Sequence, residues 1–108
     1  MPQYIFVYLG GEHPSNPEEG KKHFAKYQKW LTELGDAVVS PAIPFKDTHT
    51  VHPNGTSEQG TTTLISGMSI LKFDTMQAAL DVAKACPFLE INGTLEVSEM
   101  IEMTDKMN

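Results

Sequence analysis

The sequence predicts an α+β protein of the ferredoxin-like type, with strands and helices in the order β-α-β-β-α-β. Two observations carry the prediction. Apolar, β-branched stretches alternate with two amphipathic helical stretches, and both helical stretches have recognisable start and stop signals. Two right-handed crossovers would place both helices on one face of a four-stranded antiparallel sheet.

The first strand and first helix have the clearest boundaries. Residues 4–9, YIFVYL, are aromatic and β-branched, and a glycine pair follows them. In the helix that comes next, Asn16 is the expected N-cap, Pro17 suits the first helical position, and Glu19 occupies the capping-box position. Gly35 supplies the stop signal.

The middle of the chain predicts a second strand, a polar connection and a third strand. Residues 37–45, AVVSPAIPF, read as an edge strand because prolines cannot donate to a ladder. Residues 44–61 are polar and predict a long loop or a small hairpin, since Pro53-Asn54-Gly55 is a turn signal. Residues 63–73, TLISGMSILKF, are the third strand.

The second helix is predicted over residues 74–86, with Asp74 as its N-cap, Cys86 on its inner face and Pro87 at its exit. Residues 94–103, TLEVSEMIEM, alternate apolar with polar and predict the last strand. We therefore expect a single domain over residues 1–103, with residues 104–108 as a fraying tail.

Composition and charge exclude several classes of protein. The 108 residues include 14 acidic and 8 basic side chains, and a net charge of −6 disfavours nucleic-acid binding. The apolar run near the start is too short to cross a bilayer, so we expect no membrane association. One cysteine cannot form an internal disulfide, which fits a cytoplasmic protein.

The first strand is apolar on both faces, which predicts a homodimer. Alternation directs Tyr4, Phe6 and Tyr8 to one face and Ile5 and Val7, with a following leucine, to the other. Two helices can cover only one face of the sheet. The polar 44–61 connection would make a poor lid, so we expect a second copy of the subunit to cover the other face.

The segment SGMSILKFDTMQAALDVAKACPFLEINGTLEVSEM resembles the YCII-related domain of the dimeric α/β barrel superfamily. The resemblance covers residues 1–43 and 62–103, is most specific over residues 73–97, and leaves out the region 44–61. It implies a ferredoxin-like subunit paired sheet to sheet. Some members look like small lyase-type enzymes, whose proposed acid–base pair would fall on His23 and Cys86. A thiol cannot replace the carboxylate of that pair.

The residues themselves also place a candidate site. His23 lies on the sheet-facing arc of its helix, and Cys86 ends the second helix at the same end of the sheet, where Tyr8 finishes the first strand. We expect Tyr8, His23 and Cys86 to line one crevice for a small molecule, with Glu90 beyond it. His23 could act there as a general acid or base, or simply be a packed histidine.

The sequence predicts neither a metal nor a cofactor. His49 and His52, with Asp47 and Glu58, could hold a metal only if the loop converged them. Cys86 is expected to be a small core residue, because the negative end of a helix dipole disfavours a thiolate.

Three functions stay open at this point. The first is a binding or accessory role for the pocket, which we favour. The second is a cofactor-free lyase or isomerase that uses His23. The third is a pure interaction module.

Overall fold

The computed structural model describes residues 1–12 and 15–101 and confirms the ferredoxin-like α+β plan. The part it describes contains, in chain order, β1 (Gln3–Gly10), α1 (Pro17–Leu34), β2 (Val38–Pro44), β3 (His49–Val51), β4 (Ser57–Gln59), β5 (Ile65–Lys72), α2 (Met76–Ala83) and β6 (Gly93–Glu99).

The main sheet has the strand order β2-β5-β1-β6, and every neighbouring pair is antiparallel. The two strands with the most continuous apolar sequence, β1 and β5, are the central ones. The proline-containing β2 lies at an edge, as its sequence predicts.

One face of the sheet forms the core with the two helices. Tyr4, Phe6 and Tyr8 of β1 are buried on this face, together with residues of α1 and α2 such as Trp30 and Ala79. The alternation read from β1 is therefore confirmed. Aromatic rings dominate the contact, and burying each of them stabilises the fold by about 1.5–3 kcal/mol.

The opposite face carries apolar side chains that are only half-buried. Ile5 lies opposite Ile70, and Val7 lies opposite Met68, in the centre of the sheet. The molecule measures 49 × 38 × 18 Å. Its shortest dimension is the thickness of one sheet with one layer of helices. Nothing among the described residues forms a third layer.

The helix starts agree with the sequence in one case and differ in the other. Asn16 caps α1, accepting a hydrogen bond from the backbone N–H of Glu19. The N-cap of α2 is Thr75, whose hydroxyl accepts from the N–H of Ala78 at 3.1 Å. The prediction of Asp74 as the N-cap was wrong by one residue, because either side chain is suitable for a cap.

The second half of the chain has shorter elements than predicted. Helix α2 ends at Ala83, so Cys86 lies beyond it, and a short 3-10 helix, Pro87–Ile91, follows. Cys86 has extended backbone angles, which the next proline enforces. Strand β6 ends at Glu99. Residues 102–108, which include the predicted tail, lie outside the described residues.

The polar connection between β2 and β5 contains a hairpin. Strands β3 and β4 pair through three residues each, and the N–H of Gly55 donates to the carbonyl of His52 across the turn. The turn has Pro53 at its second position and Gly55 with φ +90° at its end, as this turn chemistry requires.

Candidate ligand-binding site

A cleft of about 520 Å³ lies between α1 and the edge strand β2. Its floor is formed by the ends of β1 and β5, and Phe88 of the 3-10 helix closes one side. Its volume falls in the range of small-molecule sites. The lining side chains are mostly apolar or aromatic: Tyr8, His23, Phe24, Tyr27, Gln28, Leu31, Pro41, Ala42, Ile43, Pro44, Ser66 and Phe88, with Gly20 and Gly67.

The close approach of β2 to β5 shapes this cleft and depends on Gly67. A Cβ at position 67 would lie 2.8 Å from the carbonyl oxygen of Ile43, closer than such atoms come in proteins. The pairing of β2 with β5 is also irregular, with register shifts between Val38 and Ser40 and between Ser40 and Ile43. The irregular strand presents Ala42, Ile43 and its prolines to the cleft.

Two tyrosines and a serine form a chain of hydroxyl groups at the base of the cleft. The hydroxyl of Tyr8 contacts Ser69 Oγ at 2.7 Å and also contacts the hydroxyl of Tyr27. Ser69 is fully buried in β5, whereas Tyr27 is half-buried. Burial raises the pKa of Tyr8 and of Tyr27, so both phenols are protonated at neutral pH.

His23 and Tyr8 both line this cleft. His23 is half-buried on α1, one turn before Tyr27, and the two ring centroids are 6.5 Å apart. Within residues 1–12 and 15–101 no side chain makes a hydrogen bond to its imidazole. The acidic partner of an acid–base pair is therefore not found among these residues.

Cys86 does not line the cleft. It is 2% exposed, and burial raises the pKa of its thiol to about 11, although a backbone hydrogen bond involving Phe88 opposes this. A thiol with such a pKa stays protonated at neutral pH and is a poor nucleophile. The structure agrees with the interpretation of Cys86 as a small core residue, but it removes Cys86 from the predicted crevice.

Glu90 also lies outside the cleft lining. Its carboxylate accepts a hydrogen bond from Lys26 Nζ at 3.0 Å, and both side chains are more than half exposed. This ion pair links the 3-10 helix to α1, and an exposed pair of this kind contributes at most about 1 kcal/mol.

The hairpin histidines form two separate pairs. His49 Nε2 lies 3.1 Å from Asp47 Oδ1, and His52 Nε2 lies 3.4 Å from Glu58 Oε1. Across the described ranges, no three His, Cys, Asp or Glu side chains converge in a way that could hold a metal ion.

The sequence interpretation missed Tyr27, Ser69 and the whole β2 side of the cleft. Tyr27 follows His23 by four residues, and this spacing could have identified it as a neighbour on the same helix face. Ser69 is a polar residue inside an otherwise apolar strand, and such a residue needs a buried partner. The contribution of β2 depends on its irregular register, which the sequence does not encode locally.

Comparison with known proteins supports the fold and leaves the family open. No protein-family profile matches the chain, and no curated protein sequence does. A solved structure of 5-chloro-2-hydroxyhydroquinone dehydrochlorinase from Burkholderia phenoliruptrix AC1100, in complex with 2,5-dihydroxybenzoquinone, is similar in fold. It has 11% sequence identity and a TM-score of 0.58, and the similarity covers 98% of each chain. At this identity the likeness establishes a shared fold.

None of the helices in the described part of the chain is both long enough and apolar enough to cross a membrane.

Proposed function

We propose that this protein is a homodimer in which each subunit binds a small, uncharged and largely apolar molecule in the cleft between α1 and β2. The YCII-related type and a cytoplasmic location are part of the proposal. The cleft carries the argument, because its volume suits a small ligand and its polar groups are few.

The cleft lining favours an uncharged ligand. None of the described residues that line it is Asp, Glu, Lys or Arg. A charged ligand would give up its hydration without meeting an opposite charge, which is costly in an apolar site. Phe24, Tyr27 and Phe88 offer aromatic surfaces against which a flat molecule can stack.

The half-buried apolar face of the sheet supports the homodimer. Ile5, Val7, Met68 and Ile70 form a patch at its centre, and the two helices cover the opposite face. A second copy brings an identical patch, so the contact would be self-complementary about a two-fold axis.

Acetophenone is a suitable first probe of the cleft, with binding followed through backbone amide shifts in two-dimensional NMR. We expect saturable shifts at Gly20 and Gly67, which line the cleft. Ala42→Trp should fill the cleft and abolish them, whereas Val51→Trp on the exposed hairpin should not. Shifts confined to other parts of the molecule would contradict the proposal.

The second candidate function is a cofactor-free lyase or isomerase that uses His23 as its acid–base group. Two observations favour it: His23 lies in the cleft, and a protein of similar fold is a dehydrochlorinase. Chloride release from 5-chloro-2-hydroxyhydroquinone tests it directly. An enzyme of this kind should release chloride above the buffer rate, and His23→Gln should lower the rate at least about 100-fold. If no chloride is released, the similarity in fold no longer favours this candidate function.

A further inference from the structure

Strand β5 has a bulge where it borders the cleft. Tyr8 lies opposite Gly67, and the next pair along β1 is Leu9 with Ile65. Ser66 is therefore an extra residue without a partner on β1. Successive residues of a regular strand point to opposite faces, yet Ser66 and Gly67 both line the cleft. Bulges re-aim single side chains in this way and are frequent beside functional sites.

Both neighbouring strands hold Ser66 in the floor of the cleft. On the β2 side, its backbone carbonyl accepts a hydrogen bond from the N–H of Phe45 at 2.9 Å. On the β1 side, its hydroxyl lies 3.1 Å from the backbone carbonyl oxygen of Tyr8. The position of Ser66 is thus fixed by the protein itself and needs no ligand.

The hydrogen bond between the Ser66 side chain and Tyr8 has only one possible direction. A carbonyl oxygen can only accept, so Ser66 donates its single hydroxyl proton to Tyr8. The oxygen of the same hydroxyl keeps its lone pairs and can still accept. Among residues 1–12 and 15–101, no group donates a hydrogen bond to this oxygen. Ser66 therefore offers an acceptor, and not a donor, to a molecule in the cleft.

We infer that Ser66 is a specificity-determining residue of the cleft, where its hydroxyl oxygen accepts a hydrogen bond from an O–H or N–H group of the ligand. The inference rests on the proposed binding function and narrows it. The ligand class is a small, flat, uncharged molecule that carries one such donor, as a phenol or an anilide does. A molecule of the same shape with a methyl group in place of the donor makes no bond to Ser66.

The existing bond to Tyr8 explains why a donor on the ligand is preferred to an acceptor. To donate to a ligand, the Ser66 hydroxyl would have to rotate and give up the bond to the carbonyl of Tyr8. To accept from a ligand, it keeps that bond. Donation to a carbonyl also polarises the hydroxyl, which makes its oxygen a better acceptor. A ligand that offers only an acceptor exchanges one bond for another and gains little.

The test uses three probes that differ only in the para substituent: 4-hydroxyacetophenone, 4-methylacetophenone and 4-methoxyacetophenone. The hydroxyl substituent can donate, the methoxy substituent can only accept, and the methyl substituent can do neither. Dissociation constants are measured by NMR titration at the amides of Gly20 and Gly67, which line the cleft. Mildly acidic buffer keeps the phenol protonated. Each protein variant is described by the ratio of two dissociation constants, because the hydration of the free probes then cancels between variants.

Ser66→Ala should weaken the hydroxyl probe relative to the methyl probe by at least about threefold, which is in the range for one hydrogen bond between neutral groups. The ratio of the methoxy probe to the methyl probe should change by less than about twofold. Ser66→Thr and Ser66→Val form a matched pair of the same shape, and only the threonine keeps the hydroxyl. The loss should therefore appear in Ser66→Val and not in Ser66→Thr.

Ser98→Ala is the control for removing a serine hydroxyl elsewhere, because Ser98 is exposed on β6 and does not line the cleft. Its ratios should match those of the wild type within about twofold. Amide spectra establish that each variant is folded.

The outcomes separate the inference from the binding function. If the probes shift the cleft amides but Ser66→Ala and Ser66→Val leave the hydroxyl-to-methyl ratio unchanged, the inference fails and the binding function stands. A loss confined to the methoxy probe would show that Ser66 donates to the ligand, which also overturns the inference. If no probe shifts the cleft amides, the binding function fails and the inference fails with it.

Discussion

The ring of Phe88 occupies the space in which a side chain at residue 93 would have to lie. A Cβ added at Gly93 would fall inside contact distance of three atoms of the ring. The same ring packs edge-on against Tyr8, with centroids 5.1 Å apart, and lines the cleft. Gly93, the first residue of β6, thus leaves the space for the Phe88 ring, which forms one side of the cleft.

Gly93→Ala should displace Phe88 and destabilise the fold by about 1–3 kcal/mol, since the methyl group overpacks the contact. Acetophenone binding should weaken with it. Ser98→Ala on the same strand is exposed and should change the free energy of unfolding by about 0.5 kcal/mol or less. Urea denaturation measures both. Phe88→Leu added to Gly93→Ala should recover part of the stability, and no recovery would contradict this explanation.

The start of α2 allows a direct comparison of two neighbouring residues. Thr75→Ala removes the hydroxyl that accepts from Ala78 N–H and should cost about 1 kcal/mol. Asp74→Ala removes only a charge near the positive end of the helix and should cost about 0.3 kcal/mol. Urea denaturation of the two variants decides which residue is the cap. Equal losses, or a larger loss at Asp74, would show that the cap is misassigned.

The order and arrangement of the elements could be read from the sequence because the signals for them are local. The alternation of Tyr4, Phe6 and Tyr8 with Ile5 and Val7 is a period-two pattern that needs no tertiary contact to recognise. The start of α1 was predictable for the same reason. At α2, two adjacent polar residues could each serve as the cap, and only the backbone angles of Thr75 select it.

The candidate site was less predictable because its residues come together through tertiary structure. Tyr8 and His23 both line the cleft, and the strand direction and helix phase that place them there are local properties. Cys86 and Glu90 were assigned to the crevice on the assumption that α2 runs to residue 86. The helix ends three residues earlier, and the 3-10 helix that follows directs Glu90 toward Lys26.

A double-mutant cycle on Tyr8 and Ser69 tests the buried hydroxyl chain through stability alone. Tyr8→Phe leaves the Ser69 hydroxyl buried without its partner and should cost about 1–3 kcal/mol. Ser69→Ala should cost about 1 kcal/mol. Together the two changes should cost less than their sum by about 1 kcal/mol, because the unsatisfied group is gone. Strict additivity in urea denaturation would show that the two hydroxyls do not interact.

Cys86 should react slowly in the folded protein. At pH 8, iodoacetamide should modify it at least about tenfold more slowly than in the urea-unfolded chain, because the buried thiol is both protonated and shielded. Mass spectrometry of timed samples measures the two rates. Equal rates would show that the thiol is accessible. Cys86→Ala should keep acetophenone binding within about twofold of the wild type.

The raised pKa of Cys86 also predicts how stability depends on pH. The unfolded thiol loses its proton near pH 9.0, while the folded one keeps it to about pH 11. The unfolded state therefore binds fewer protons in this window, and stability falls as pH rises. The loss should approach about 1.4 kcal/mol per pH unit between pH 9 and 11. Subtracting the profile of Cys86→Ala isolates this contribution, and a flat difference would contradict it.

The proposed dimer predicts that one charge at the centre of the open sheet face separates the subunits. Val7 is half-buried there, opposite Met68 on one side and Glu96 on the other. Val7→Lys would bring two ammonium groups into an apolar contact, at a cost on the order of 3 kcal/mol or more. The side chain can reach water in the isolated subunit, so the fold should survive. Sedimentation should give twice 11.9 kDa for the wild type and 11.9 kDa for the variant.

The control for this experiment is Ala25→Lys, which places the same charge on an exposed position of α1. It should leave the dimer intact, because α1 lies on the other side of the sheet from Val7. Circular dichroism of both variants should match the wild type. A wild-type particle of 11.9 kDa at micromolar concentration would refute the dimer, and the apolar patch would then need another occupant. If the Val7→Lys variant remains a dimer, the interface must lie on a different surface.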